Sequence, residues 1–229
     1  FAPEIARGRL ELLHARFGEL GPVVRARPVL GLLADLGFSS DQLEDESRGI
    51  SFQGNGPLDM RLDPTRGNTC REILGVIGEK ELADLIYELG EERFSRRIAA
   101  AIVRARGEGR LPSTTRELAE LVSKAVPGGS RHGRIHPATR TFQALRIHVN
   151  GELEELDSLL NDVILGVKTG GRVAIISFHS LEDRRVKTTF RHQDSAFEPL
   201  TKKPIEAGEE EIRLNPRSRS AKLRIATRI

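Results

Sequence analysis

Two short, largely apolar runs, Pro28–Ala34 (PVLGLLA) and Arg172–Phe178 (RVAIISF), constrain this chain more than any other feature of its sequence. Each is too short for an amphipathic helix and reads as a buried strand of a parallel sheet. The first runs into Asp35-Leu36-Gly37 and the second into His179-Ser180, so each delivers polar residues to a loop at its carboxyl end. Open α/β sheets bind their ligands at that end. A helix over Leu181–His192 follows the second run. Alternation over Lys222–Arg228 predicts a terminal strand with an exposed edge. Strand, helices, strand, helix, strand is an α/β pattern with a parallel sheet.

The stretch between the two runs has its own rhythm. Residues 38–69 are rich in turn formers, yet carry Phe38, Ile50, Phe52, Leu58 and Met60 at intervals, which predicts a long structured loop. Helical periodicity takes over at Arg71. Its apolar groups are Ile73, Leu74 and Ile77; Leu82, Leu85, Ile86 and Leu89; and Phe94, Ile98, Ala101 and Ile102. Thr114 or Thr115 caps a further helix through Leu118, Leu121 and Val122, which Pro127-Gly128-Gly129 ends. Residues 71–126 are therefore expected as an inserted all-helical domain, with 1–70 and 127–229 as the α/β domain. A helix begun at Thr139 or Thr141 runs to Val167 with a weak point at Gly151, and Gly170-Gly171 stops it.

Charge narrows the partners. Lys and Arg number 36 against 33 acids, a net +3, but the cations are clustered. Arg93–Arg110 holds six arginines and one acid, Pro127–Gly151 four arginines and no acid, and Ile212–Ile229 six basic residues and no acid. Such blocks on a nearly neutral chain point to a polyanion, with solvated helix faces as the plainer alternative. The single cysteine, Cys70, excludes an internal disulfide and argues against a cysteine zinc site. No apolar run reaches the roughly 18–20 residues of a membrane span. The first residue is Phe1 rather than Met, so the chain is expected to be a fragment, a processed chain or the ordered part of something longer.

Three places carry candidate chemistry. Asp35 ends the first strand, followed by Gly37, Ser39, Ser40 and Gln42. The block ISFHSLEDR (Ile176–Arg184) would bring Ser177, His179 and Ser180 beside Asp35 if the strands are neighbours. A hydrolase triad or a metal site there is weak, because the groups crowd onto one turn; Ser180 capping a helix led by Glu182 and Asp183 is simpler. In GPLDMRLDP (Gly56–Pro64), two acids flank Met60-Arg61, either as a site or as a loop tied to itself through Arg61.

The strings DLGFSSDQLEDESRGISFQGNGPLDMRLDP, GEERFSRRIAAAIV, TRTFQALRIHVNGELEEL, GGRVAIISFHSLEDRRVK, LTKKPI and NPRSRSAKLR, in this order, resemble the bacterial ribosomal RNA small-subunit methyltransferase H family, also called MraW. The resemblance implies a class I (Rossmann-like) methyltransferase sheet with an inserted all-helical domain. It implies an S-adenosylmethionine-dependent enzyme that methylates N4 of a cytidine in the decoding region of 16S rRNA, on naked RNA or the 30S particle. It further implies a cytoplasmic protein, or an organellar one if a transit peptide has been removed. Neither membrane nor metal is expected, and the chain would be a monomer or homodimer. Phe17, Asp35 and Gln42 match cofactor-contacting positions. Two departures stand out. The family's glycine-rich DGTxGxGGH loop and ribose-binding acid are missing before Phe1, and the segment His192–Pro199 is shorter than usual. A cofactor-deficient relative acting as an RNA-binding or ribosome-assembly protein is the alternative.

A cytosine amine is a poor nucleophile, so catalysis of this kind rests on positioning and on an acceptor for its N–H. Asp35 and the hydroxyls of the Leu36–Ser40 turn, Ser39 included, are the candidates, with His179 as proton acceptor or base holder. Arg61, Arg93, Arg97, Ser177 and Arg184 are candidate RNA contacts.

Overall fold

The computed structural model describes residues 2–127, 136–192 and 194–229. The helix stop expected at Gly128-Gly129 lies outside them. The chain divides into two compact units: residues 1–36 with 153–229, and residues 37–152.

The first unit is built on a mixed sheet. Strand β1 (Val29–Asp35) pairs in parallel with β2 (Val167–Ser177), with Gly31–Asp35 opposite Arg172–Ile176. The parallel pairing expected of the two apolar runs holds for β1 and β2, and the sheet as a whole is mixed. The last strand, β5 (Lys222–Arg228), is antiparallel to β2 on one side and to the short strands β3 (Phe197–Pro199) and β4 (Ile205–Glu206) on the other. Being antiparallel to both neighbours, β5 separates two strands, β2 and β3, that run in the same direction. So β5 is an inner strand, not the exposed edge its alternation implied. β1 stands at the end of the order β1-β2-β5-β3 and pairs on one side only. Leu30 and Leu33 of β1 are about 70% exposed, against the reading of a buried strand.

Gly170 and Gly171 do not end a helix; they lie inside β2, where the pairing with β1 shifts register. A Cβ on Gly171 would come within 2.7 Å of the Leu30 carbonyl, so this irregularity requires a residue without one. Helix α1 (Ala2–Ala6) opens the unit, and α2 (Phe17–Ala26) packs on the tight turn Val163–Gly166. The apolar core joins Ala34, Leu159, Ile164, Val173, Phe190 and Ala226.

The second unit is helical: α3 (Ser40–Glu44), α4 (Cys70–Val76), α5 (Glu79–Gly90), α6 (Ser95–Gly107), α7 (Thr115–Ala125) and α8 (Ala138–Asn150). The apolar periods predicted from Arg71 onward are the buried faces of α4–α7. Leu74, Leu82, Ile86, Ile98, Ile102, Leu118 and Val122 are fully buried in one core, in which α5 packs on both α6 and α8. Thr114 is the cap of α7, its hydroxyl accepting from Glu117 N while the Glu117 carboxylate reaches back to Thr114 N. Gly151, in a left-handed conformation (φ +59°), closes α8, and α9 (Glu152–Asn161) begins afresh.

This unit is wider than the expected 71–126 insert. The loop before Arg71 contributes Leu58 and Met60 to the same core, at 2% and 0% exposure. Met60 has φ +66°, a strained choice for a side chain of this size. Asn150 stabilises it. Its Nδ2 donates to the Met60 and Arg146 carbonyls (2.9 Å each), and its Oδ1 accepts from Leu62 N at 2.7 Å. Asn150→Ala leaves those loop groups without partners. We expect a stability loss of about 2 kcal/mol in urea unfolding, with the helical content of the native state unchanged.

Candidate functional site

The parallel pairing of β1 and β2 sets the geometry. Asp35 lies opposite Ile176, and the next peptide continues the ladder, Leu36 N donating to the Ile176 carbonyl at 3.0 Å. The carboxyl ends of both strands therefore open side by side, as expected for neighbouring strands. Asp35 is exposed and has no hydrogen-bond or ion-pair partner among the described residues.

After β2 the chain turns through Phe178 and His179 into α10 (Ser180–Arg191). The helix is capped by His179 rather than Ser180. The imidazole Nδ1 accepts from Glu182 N at 3.4 Å, and Glu182 Oε2 accepts from the Phe178 and His179 amides at 2.8 and 3.3 Å. In HSLE the glutamate three residues after the histidine completes the reciprocal box, whereas counting from Ser180 puts Asp183 there, and Asp183 is engaged elsewhere. With Nδ1 accepting, the neutral ring carries its proton on Nε2. That atom is buried and lies 3.2 Å from Glu182 Oε1, but without an aligned hydrogen bond. Burial raises the Glu182 carboxyl, but the His179 ring and the two amides outweigh it and hold the group below its ordinary range.

Asp183 forms a two-pronged pair with Arg224 of β5, at 2.7 and 3.0 Å, with both side chains nearly buried. Burial pushes the Asp183 carboxyl up, and the Arg224 guanidinium more than reverses this. No Ser-His-Asp relay forms among the described residues. Asp183 belongs to Arg224, and the Ser177 hydroxyl, 1% exposed, faces the Lys222 carbonyl at 3.4 Å. Ser177 is therefore placed as a sheet residue, out of reach of a large ligand. Arg184 is exposed on α10, and Phe17 is half-buried against the sheet core.

The remaining candidates fall in the helical unit. Ser39 and Gln42 cap α3 reciprocally, Ser39 Oγ accepting from Gln42 N (3.2 Å) and Gln42 Oε1 from Ser39 N (3.0 Å). The Gln42 amide NH2 has no acceptor among the described residues. Arg61 holds its own loop: it binds Asp59 through two nitrogens at 2.7 and 2.9 Å and donates to the Gly67 carbonyl. Arg93 lies over the Phe94 ring at 4.6 Å, and Arg97 is exposed on α6 without an ion-pair partner among the described residues. Reading the sequence missed Asn150 and Arg224, and placed Glu182 in the first turn of α10 without pairing it with His179. Only Glu182 carried a local signal, its spacing from His179; the others act on residues far away in sequence.

An exposed carboxylate at a strand end, unpartnered among the described residues, can accept from a hydroxyl or ammonium group of a ligand, and Asp35 has that chemistry.

The MraW methylase family model matches residues 3–229. A protein of Acidobacterium capsulatum named ribosomal RNA small subunit methyltransferase H is 52% identical over 98% of this chain and 80% of its own length. One of the same name from Koribacter versatilis is 52% identical over 99% of this chain and 77% of its own. Another, from Synechocystis, is 56% identical over 87% and 64%.

Asp183→Ala strands Arg224 in the sheet and is expected to cost about 3 kcal/mol in denaturant unfolding. The folded Asp183 carboxyl titrates below its unfolded value of roughly 3.9, so its stabilisation is complete above that value and is lost as pH falls through the folded one. Asp183→Asn is therefore expected to lose less stability than the parent chain between about pH 5 and pH 3.

Proposed function

The chain belongs to the MraW methylase family, and from that premise we propose that it methylates small-subunit ribosomal RNA. The finer reading is transfer from S-adenosylmethionine to N4 of a cytidine in the decoding region of 16S rRNA, in a cytoplasmic or organellar ribosomal particle. The observation that carries ribosomal RNA methylation is the match, along nearly the whole chain, to relatives named ribosomal RNA small subunit methyltransferase H; the base and atom are our own reading, drawn from the family resemblance of the sequence. Because each of those relatives is named as a methyltransferase, the enzyme is favoured over the cofactor-deficient assembly factor. The three basic blocks suit a polyanionic substrate.

S-adenosylmethionine supplies an already activated methyl group, so the protein has to bind, orient and accept a hydrogen bond. The carboxyl ends of β1 and β2 do this in our reading. The Asp35 carboxylate, unpartnered among the described residues, uses one oxygen to hold the methyl donor and the other to accept the N–H of the target amine, raising electron density on its nitrogen. The His179 ring, fixed by Glu182 at the end of β2, packs beside the base as part of the site wall. Phe17, half-buried against the sheet core, is a candidate contact of the donor in this reading. The base leaves its stack to reach the methyl group.

Incubating the protein with 30S particles and labelled S-adenosylmethionine, then digesting the RNA for mass spectrometry, tests this directly. N4-methylcytidine from the decoding region is the expected product; a methyl on carbon 5 or on a ribose hydroxyl contradicts the reading. Asp35→Asn is expected to lower turnover roughly 100-fold, with the KM for RNA little changed.

A further inference from the structure

The helical unit carries a groove that none of this uses. It has a volume of about 350 Å³, near the lower end of small-molecule sites at roughly 300–1,000 Å³. One wall is a face of α7, with Arg116, Ala119 and Ser123 at helical spacing. The other is a pair of rings. His136 lies on Phe52 with centroids 4.7 Å apart and planes 29° apart, and Phe52 is wedged at 5.0 Å, edge-on, against the buried Phe142. The shelf is thus anchored in the core, while His136 itself is exposed and its second ring face has no aromatic partner among the described residues. His136 Nδ1 accepts from Ala138 N at 3.1 Å, so in the neutral ring the proton sits on Nε2 as an exposed donor.

The chemistry along the groove is that of a nucleotide. Ala119 is buried and small, leaving space at the floor. The Ser123 hydroxyl is unbonded among the described residues, and Arg116 is exposed with no ion-pair partner there. Lys124 and Glu120 pair at 3.9 Å along the same helix, which leaves Arg116 as the uncompensated charge. Arg116 and Ser123 are seven residues apart, about 10 Å along the helix. A π face, a hydroxyl, an N–H donor and a guanidinium in one concave strip match a base, a sugar and a phosphate.

We propose that this groove binds one unpaired nucleotide of the RNA, its base stacked on His136 and its phosphate held by Arg116. The proposal rests on the RNA reading above and adds to it a recognition point for single-stranded rather than duplex RNA.

Fluorescence anisotropy with a short single-stranded oligopyrimidine RNA, and with a duplex of equal length, tests it across a salt series. His136→Ala is expected to weaken single-strand binding roughly 10-fold with an unchanged salt slope. Arg116→Ala is expected to weaken it and to lower the log–log salt slope by about 0.7. His136→Tyr, which keeps a stacking ring, retains affinity, as does Lys80→Ala on α5. Duplex binding is expected to be the same for all variants. Both key side chains are exposed, and thermal melting confirms that each variant folds. If the parent chain binds RNA with salt dependence but either alanine variant matches it, the groove proposal falls and the RNA reading stands. If the parent chain binds neither RNA, both fall.

Discussion

Parallel pairing of β1 with β2 is the constraint on which the rest depends. Two parallel neighbours cannot be joined by a hairpin; the chain must leave one end of the sheet and return to the other. Here that crossover carries residues 36–166, enough to fold into a unit with its own core. The same pairing aligns Asp35 with Ile176, so the two strands release their loops together. A one-residue slip would move every side chain of β1 to the opposite face. Gly171, in close approach to the Leu30 carbonyl, lets the register adjust before the aligned stretch begins.

Few polar contacts fix the loops, and they differ in kind from the ion pairs at the surface. Arg7–Glu4 and Arg27–Glu11 are open to water and belong to the class worth roughly 0–1 kcal/mol. Arg224–Asp183 and Arg146–Glu152 are two-pronged and nearly buried, so loss of one partner leaves a charge without solvent. Arg146 also lies over the Phe38 ring at 4.7 Å. Asn150 and Glu182 work through backbone groups, each satisfying amides or carbonyls that a turn would otherwise leave bare. The left-handed Met60 is tolerated because Asn150 and a complete burial of its side chain both hold it there.

Local signals were legible and distant ones were not. The apolar runs at β1 and β2, the helical periods of α4–α7, the Thr114 cap and the break at Gly151 all follow from spacing within a few residues. The inner, antiparallel place of β5 depends on what returns beside it, which its alternating pattern does not encode. The start of β2 at Val167 was hidden by Gly170-Gly171, which resemble a helix stop and serve as an irregularity in a strand. At the site, the position of Asp35 at a strand end was readable from its run. That Ser177 turns into the sheet, that Arg61 is held by Asp59 and that Asp183 belongs to Arg224 needed the fold. The single-residue shift of the helix cap from Ser180 to His179 shows how an acid three residues on decides between adjacent candidates.

We propose that the open carboxyl end of β1 holds the methyl donor, through an Asp35 carboxylate that is unpaired among the described residues. Calorimetric titration of S-adenosylmethionine into the chain and into Asp35→Ala measures that claim most directly. The account predicts saturable binding by the parent chain and an affinity lowered roughly 10- to 100-fold by the substitution, the range of one hydrogen bond to a charged group. Equal affinities, or no binding by the parent chain, would contradict it.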